Sequence, residues 1–228
     1  MKSIGLICVN YGRPKILELW CKQIQRLRSD NGLYFPVAVV SDESDAVICN
    51  RNYITHIVHE NNPVTSKFNR AFRFMQSIGV DYVMVLGSDD IVSTKYIQDT
   101  MVQMEKGIDL IGTNTIYFYC GQGSERGKLV KLDTPIMKGI GKTVSKRILD
   151  QCNWTLWNEA KNWGMDAIAT KTIMSYNPSK SVIDGVVVDV KTKENLNSFR
   201  VFRNRPEVDN KLFLDVLSKE ELEILNTL

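Results

Sequence analysis

Asp81-Tyr82-Val83-Met84-Val85-Leu86-Gly87-Ser88-Asp89-Asp90 is the stretch that decides the fold. Its first part is the most hydrophobic run of the chain, and such uninterrupted apolar strands are expected where helices cover both faces of a parallel sheet. It breaks abruptly into a glycine, a serine and two aspartates. Ligands of open α/β sheets bind beyond the carboxyl ends of the strands, which is where this pair of carboxylates falls.

Working outward, three earlier runs repeat the pattern. Residues 4–9 are apolar and stop at Asn10-Tyr11-Gly12-Arg13-Pro14. Residues 37–40, led in by Phe35-Pro36, stop at Ser41-Asp42-Glu43, and residues 53–58 stop at Glu60-Asn61-Asn62-Pro63. Between and after them, apolar residues at helical spacing predict helices at about 15–27 (opened by Pro14), 66–78 and 94–106. Alternating strand and helix predicts a right-handed, doubly wound, mainly parallel sheet, with four polar strand exits converging on one edge. Short strands are expected at 109–111 and 115–119, then a glycine-bearing loop or hairpin at 121–135. Helices follow at 145–152, 156–163 and 166–175, and a β-branched strand at 182–190. Ser218-Lys219-Glu220-Glu221 is a capping box for a last short helix.

The 228 residues fit one α/β domain, with a donor half at about 1–119 and an acceptor half and C-terminal tail at about 120–228. A net charge of +3 suits a phosphorylated ligand without demanding nucleic acid. Five scattered cysteines, with no C-x-x-C, argue against a disulfide framework or zinc site and for a reducing compartment. The chain shows no signal-peptide pattern and no transmembrane run, so a cytoplasmic location is expected.

The common nucleotide motifs fail. Gly141-Lys142-Thr143 imitates the end of a P-loop, but Ile136 stands at its first glycine. Val144 breaks G-x-G-x-x-G, and no dinucleotide fingerprint follows the first strand. What remains is the aspartate pair: a diphosphate in a low-dielectric cleft needs a counter-charge, which a carboxylate-held divalent cation supplies.

The stretch Asn62-Pro63 … Lys67-Phe68-Asn69 … Asp81 to Asp90 resembles nucleotide-sugar glycosyltransferases of the GT-A fold, family-two-like, closest to small stand-alone bacterial and phage members. The resemblance covers most of residues 1–175. It implies a metal-dependent transfer from a nucleotide sugar, here a UDP-sugar, to a hydroxyl of a glycan or other acceptor, with inversion favoured. Ser88-Asp89-Asp90 would be the D-x-D-type motif, with serine in place of the first aspartate. Asp90 is then the principal ligand of Mn²⁺ or Mg²⁺, and Asp89 a ligand or a nucleotide partner. Asn10, Tyr11 and Arg13 would lie against the nucleoside, Asp42 would read the base, and Lys67, Asn69 and Ser88 would meet the donor. Asp166, after Gly164-Met165, matches the acidic residue that acts as catalytic base in inverting members.

Other residues have plainer readings. Lys142, Lys146 and Arg147 could grip the diphosphate or an acidic acceptor but fit a solvated helix face better, and Trp154, Trp157 and Trp163 could stack on a sugar face but fit core packing better. His56 and His59 would point to opposite faces of a strand and share no metal. Asp189 and Lys191 are candidates to complete the metal or diphosphate site. Phe199-Arg200-Val201-Phe202-Arg203-Asn204-Arg205 interleaves aromatic and basic residues, a pattern suited to stacking on bases and pairing with phosphates. Phage members that decorate modified DNA make such an acceptor conceivable, with an affinity that falls steeply with salt. The rivals are a nucleotidyltransferase on the same fold, which generally carries a glycine-rich basic loop after its first strand, and a non-catalytic sugar-nucleotide or glycan-binding protein.

Overall fold

A computed structural model describes residues 1–31, 37–157, 164–195 and 197–228. The apolar run at the start forms β1 (Ile4–Val9), and its alternate residues feed two cores. Ile4, Leu6 and Cys8 pack with Leu17, Trp20 and Ile24 of α1 (Pro14–Asn31). Ile7 points the other way, toward Phe72 and Met75. This two-sided burial is why the strand reads as continuously hydrophobic.

The chain continues through β2 (Val37–Ser41), α2 (Glu43–Arg51), β3 (His56–Val58), α3 (Val64–Ser77), β4 (Tyr82–Val85), β5 (Asp90–Val92) and α4 (Thr94–Glu105). Then come β6 (Leu110–Gly112), the hairpin of β7 (Thr115–Cys120) and β8 (Leu129–Asp133), β9 (Thr143–Ser145), α5 (Lys146–Gln151), α6 (Met165–Met174), β10 (Lys180–Val182) and β11 (Val187–Lys191). A 3-10 turn (Phe199–Val201), β12 (Glu207–Val208), α7 (Lys211–Leu214) and α8 (Lys219–Leu225) close it. The expected tryptophan-bearing helix at 156–163 falls largely outside the described residues, as do Phe35-Pro36.

Among the described residues, seven strands form a sheet in the order β10-β6-β9-β4-β1-β2-β3. β1, β2, β3 and β4 are parallel, as expected, but β9 inserts antiparallel between β4 and β6. A second sheet, not foreseen, runs β12-β8-β7-β11-β5. The expected strand at 182–190 is two strands. β10 joins the large sheet beside β6, and β11 joins the small one between β7 and β5. Gly185 lies between them, where a Cβ would sit 3.0 Å from Tyr96 Cβ. The tail helix α8 has its capping box, and the fully buried Glu221 pairs with Arg26 Nε at 2.9 Å, docking α8 on α1.

Asp109 staples the β6, β9 and β10 corner. Its carboxylate takes two hydrogen bonds from Arg147 (2.8 and 2.6 Å), one from Ser145 Oγ and two from Ser179. The Arg147 bonds, followed by those from Ser179 and Ser145, hold it well below the usual carboxylate range against the opposing effect of burial. Because the folded carboxyl is depressed, its contribution is present above the unfolded value near pH ~4 and is lost as pH falls toward the folded value. Asp109→Asn should lower stability at pH 7 by about 2–4 kcal/mol, and the gap to the parent should close below pH ~4. Urea unfolding from pH 2.5 to 7 measures this; a gap constant across that range would exclude the staple.

Candidate active site

After β4 the chain turns at Leu86-Gly87-Ser88-Asp89, closed by Asp90 N–H donating to Gly87 O (3.2 Å). The Gly87 amide in turn donates to the Asp90 carboxylate. A Cβ on Gly87 would lie 2.7 Å from Asp89 Oδ1, so glycine lets both carboxylates fold back over the backbone.

β5 then pairs antiparallel with β11, placing Asp189 directly opposite Asp90. Residues opposite one another across a ladder share a face, so these two carboxylates are neighbours. Both are buried, at 6% and 8% exposure. Burial, then the charges of Asp89 and Asp189, push Asp90 well above the ordinary carboxylate range. Burial, then Asp89, push Asp189 up to about 7, with Lys191 acting in the opposite direction. Asp189 Oδ2 lies 2.5 Å from Lys191 Nζ, while its Oδ1 has no protein hydrogen bond. Asp89 is held differently: Arg13 Nη1 lies 3.3 Å from Oδ2, Arg13 Nη2 donates to Ser88 Oγ at 2.7 Å, and Asn195 Nδ2 donates to Asp89 Oδ2.

Around these groups the cleft has two lobes that meet at Gly87, Asp89, Phe68 and Met165. The first, about 270 Å³, is lined by Asn10, Tyr11, Arg13 and Asn61 on one side and by Lys191 and Asn195 on the other. The second, about 220 Å³, has Asp90, Asp189, Asp166 and Lys142 among apolar walls that include Phe68 and Trp157, whose rings are 5.0 Å apart.

Several expected donor residues therefore come together: Asn10, Tyr11, Arg13 and Asp89 line the first lobe, and Ser88 braces Arg13. Tyr11 is 58% exposed at the mouth, whereas Asn10 is buried, donating to Asp45 Oδ2 at 2.9 Å and leaving its own Oδ1 unpaired. The expectation that Lys67 and Asn69 face the donor is corrected. Both side chains are fully buried and neither lines a lobe. Lys67 Nζ donates to Asn10 O (2.7 Å) and lies 3.7 Å from Asp42 Oδ1, so it braces the β1–α1 turn from beneath. Burial pulls its ammonium below the usual range, countered by Asp42 and Asp45. Asn69 Nδ2 donates to Trp157 O at 2.9 Å, fixing the wall of the second lobe. Asp42 does not line the first lobe; it touches the site through Lys67.

Lys142 departs most from its expected solvated setting. It is 2% exposed, and its ammonium donates to Asp166 Oδ1 at 2.6 Å. The aromatic rings of the 199–205 segment also turn inward: Phe199 is buried and Phe202 stacks on Phe118 at 3.7 Å. They are not free to stack on bases, while Arg200, Arg203 and Arg205 remain exposed along with Val201 and Asn204. Trp154 is core, Trp163 lies outside the described residues, and His59 bonds Ser66 Oγ. Arg147 is bound to Asp109, and Lys146 pairs with Asp150 on the surface.

Among the described residues no three His, Cys, Asp or Glu side chains are grouped as a ready-made metal site. The donor chemistry nevertheless suits a hard cation. Two buried, mutually repelling carboxylates face one another with one oxygen unpaired, and Mg²⁺ characteristically takes one or two carboxylates and completes its shell with water and substrate phosphates.

The fold is of the GT-A and nucleotidyltransferase type: a mixed α/β architecture with a cleft at the strand ends. A crystal structure of S. aureus TarS superposes with a TM-score of 0.60 at 15% identity, over 84% of this chain. The chain spans 37% of that TarS chain. A TarS 1–349 structure in complex with UDP gives 0.55 at 15% identity, covering 98% of this chain and 69% of that one. CMP:2-keto-3-deoxy-manno-octonic acid synthetase complexed with CTP gives 0.53 at 11% identity, covering 95% and 100%. No protein-family model matches the sequence, and no curated protein matches it either. No helix among the described residues is long and apolar enough to cross a membrane.

Proposed function

We propose that this protein is a glycosyltransferase that moves a sugar from a nucleoside diphosphate sugar, a UDP-sugar, to an acceptor hydroxyl. The observation that carries this reading is the two-lobed cleft, with Asp89 where the lobes meet and the buried carboxylates Asp90 and Asp189 beside Asp166 in the second lobe. The first lobe suits a nucleoside: Tyr11 offers a ring at the mouth, and Arg13 and Lys191 offer cations to a diphosphate. The second lobe then takes the sugar and the attacking hydroxyl. Asp90 and Asp189 would hold Mn²⁺ or Mg²⁺, and when bound the ion stabilises charge building on the leaving diphosphate. Asp89, clamped by Arg13 and Asn195, ties the motif turn to Asn195 just beyond β11. Asp166 accepts the hydroxyl proton as that oxygen attacks the anomeric carbon from the face opposite the leaving UDP, so configuration inverts.

The nucleotidyltransferase reading has its own support, since the CTP-complexed synthetase is matched along its whole length. Against it stands Asn10-Tyr11-Gly12-Arg13, which is not the glycine-rich basic loop such enzymes generally carry. A thermal-shift panel of UDP, CTP and UDP-hexoses, with and without Mn²⁺, separates the two. UDP and a UDP-hexose should raise the melting temperature in a metal-dependent way, because ligand binding to the native state alone stabilises by mass action. A shift with CTP alone would favour nucleotidyl transfer.

A further inference from the structure

Lys142 sits where the sheet meets the acceptor-side helix. Its backbone is fixed to the edge of β4: Val85 N–H donates to Lys142 O at 2.9 Å and Gly141 N–H donates to Val85 O at 2.8 Å. From that anchor the side chain reaches α6. There Nζ donates to Asp166 Oδ1 (2.6 Å) and to Thr170 Oγ1 (2.7 Å), one helical turn apart on one helix face. An ammonium this deeply buried needs a carboxylate partner, and Asp166 is the one in contact. The Asp166 side chain itself keeps 39% exposure, so the ion pair engages one oxygen and leaves the carboxylate open to the second lobe. Gly139 permits this packing, since a Cβ there would come to 3.3 Å from Asp166 Oδ1.

We propose that Lys142 is a positioning residue for proton transfer: it pins Asp166 by Oδ1 so that Oδ2 meets the attacking hydroxyl. The inference rests on Asp166 being the base. In the step, the acceptor O–H proton passes to Asp166 Oδ2 and the acceptor oxygen bonds the anomeric carbon. The bond from that carbon to the diphosphate oxygen breaks, with its electron pair leaving on UDP. Lys142 gives up no proton; it fixes geometry, and misplacing a catalytic group by an ångström costs on the order of 10²-fold in rate.

The test uses water as acceptor and reads UDP release with Mg²⁺ from the UDP-hexose that the parent hydrolyses fastest. Lys142→Met should lower kcat by roughly 10–10²-fold, with the KM for the donor within about twofold, and Lys142→Arg should recover part of the loss. Made in an Asp166→Asn background, Lys142→Met should cost nothing further, because groups acting as a unit are non-additive. Thr170→Val, a milder change that removes only the helix-side acceptor, should lower kcat in the parent and not in the Asp166→Asn background; it carries the test if Lys142→Met does not fold. A full additional loss in the double variant, or a raised KM at unchanged kcat, would overturn the role of Lys142. Asp166→Asn turning over at the parent rate would instead remove the base assignment itself.

Discussion

Asp90→Ala should abolish turnover while leaving the fold intact. Asp90 lines the second lobe next to the Gly87-Asp89 junction, is nearly enclosed, and faces Asp189 across the β5–β11 ladder. Removing it takes away one of the two carboxylates proposed to hold the cation, and with it the stabilisation of the departing diphosphate, worth several kcal/mol in the transition state. The substitution should not unfold the protein. Burial and neighbouring carboxylates already work against the Asp90 charge, so deleting the side chain relieves repulsion even as it loses the Gly87 contact. UDP release from a UDP-hexose should fall to background, and the parent protein in excess EDTA should behave the same way until Mg²⁺ or Mn²⁺ is restored. Activity undiminished in EDTA would remove the metal from the account. In that event Arg13 and Lys191, already in the first lobe, would be left as its countercharges to the diphosphate.

The second large effect is at Asp166. Asp166→Asn should bind UDP-sugar nearly as the parent does, because Asp166 belongs to the second lobe and not to the first, the one proposed for the nucleoside. Transfer should slow by roughly 10²–10⁴-fold, the range for losing a positioned general base. The anomeric configuration of the product is an independent check, since a base opposite the leaving group implies inversion. Parent-like rates in Asp166→Asn would reject the assignment, and a product of retained configuration would require another role for that carboxylate.

How much of this was legible in the sequence follows from how local each signal is. The parallel strands β1 and β4 announce themselves because both faces are buried, which forces unbroken apolar runs. Helix α2 stays hidden because only Asp45 and Cys49 of its nine residues are buried, too few for a 3.6-residue apolar stripe. β5 and β9 are three-residue strands whose partners lie far away in sequence, so no local period marks them. That same distance conceals the Asp90–Asp189 pairing: a ladder between strands at opposite ends of the 90–189 stretch puts the two carboxylates together.

Side-chain direction was the other blind spot. Lys67, Asn69 and Lys142 are polar residues near strand exits, a placement that reads as exposure or ligand contact. Each is instead buried against a specific partner: the Asn10 carbonyl, the Trp157 carbonyl and the Asp166 carboxylate. A buried polar group must be satisfied, but the sequence does not show which distant atom satisfies it. The 199–205 segment errs the opposite way, since its aromatic rings serve the small sheet while its arginines face solvent.

The most direct test is to incubate the protein with a panel of UDP-hexoses and Mg²⁺, with and without added pyrophosphate, and resolve the nucleotide products by chromatography. Glycosyl transfer predicts slow transfer of the hexose to water with release of UDP, dependent on Mg²⁺, unaffected by pyrophosphate and absent in Asp90→Ala. UTP and sugar 1-phosphate formed only when pyrophosphate is present, with no UDP, would contradict it.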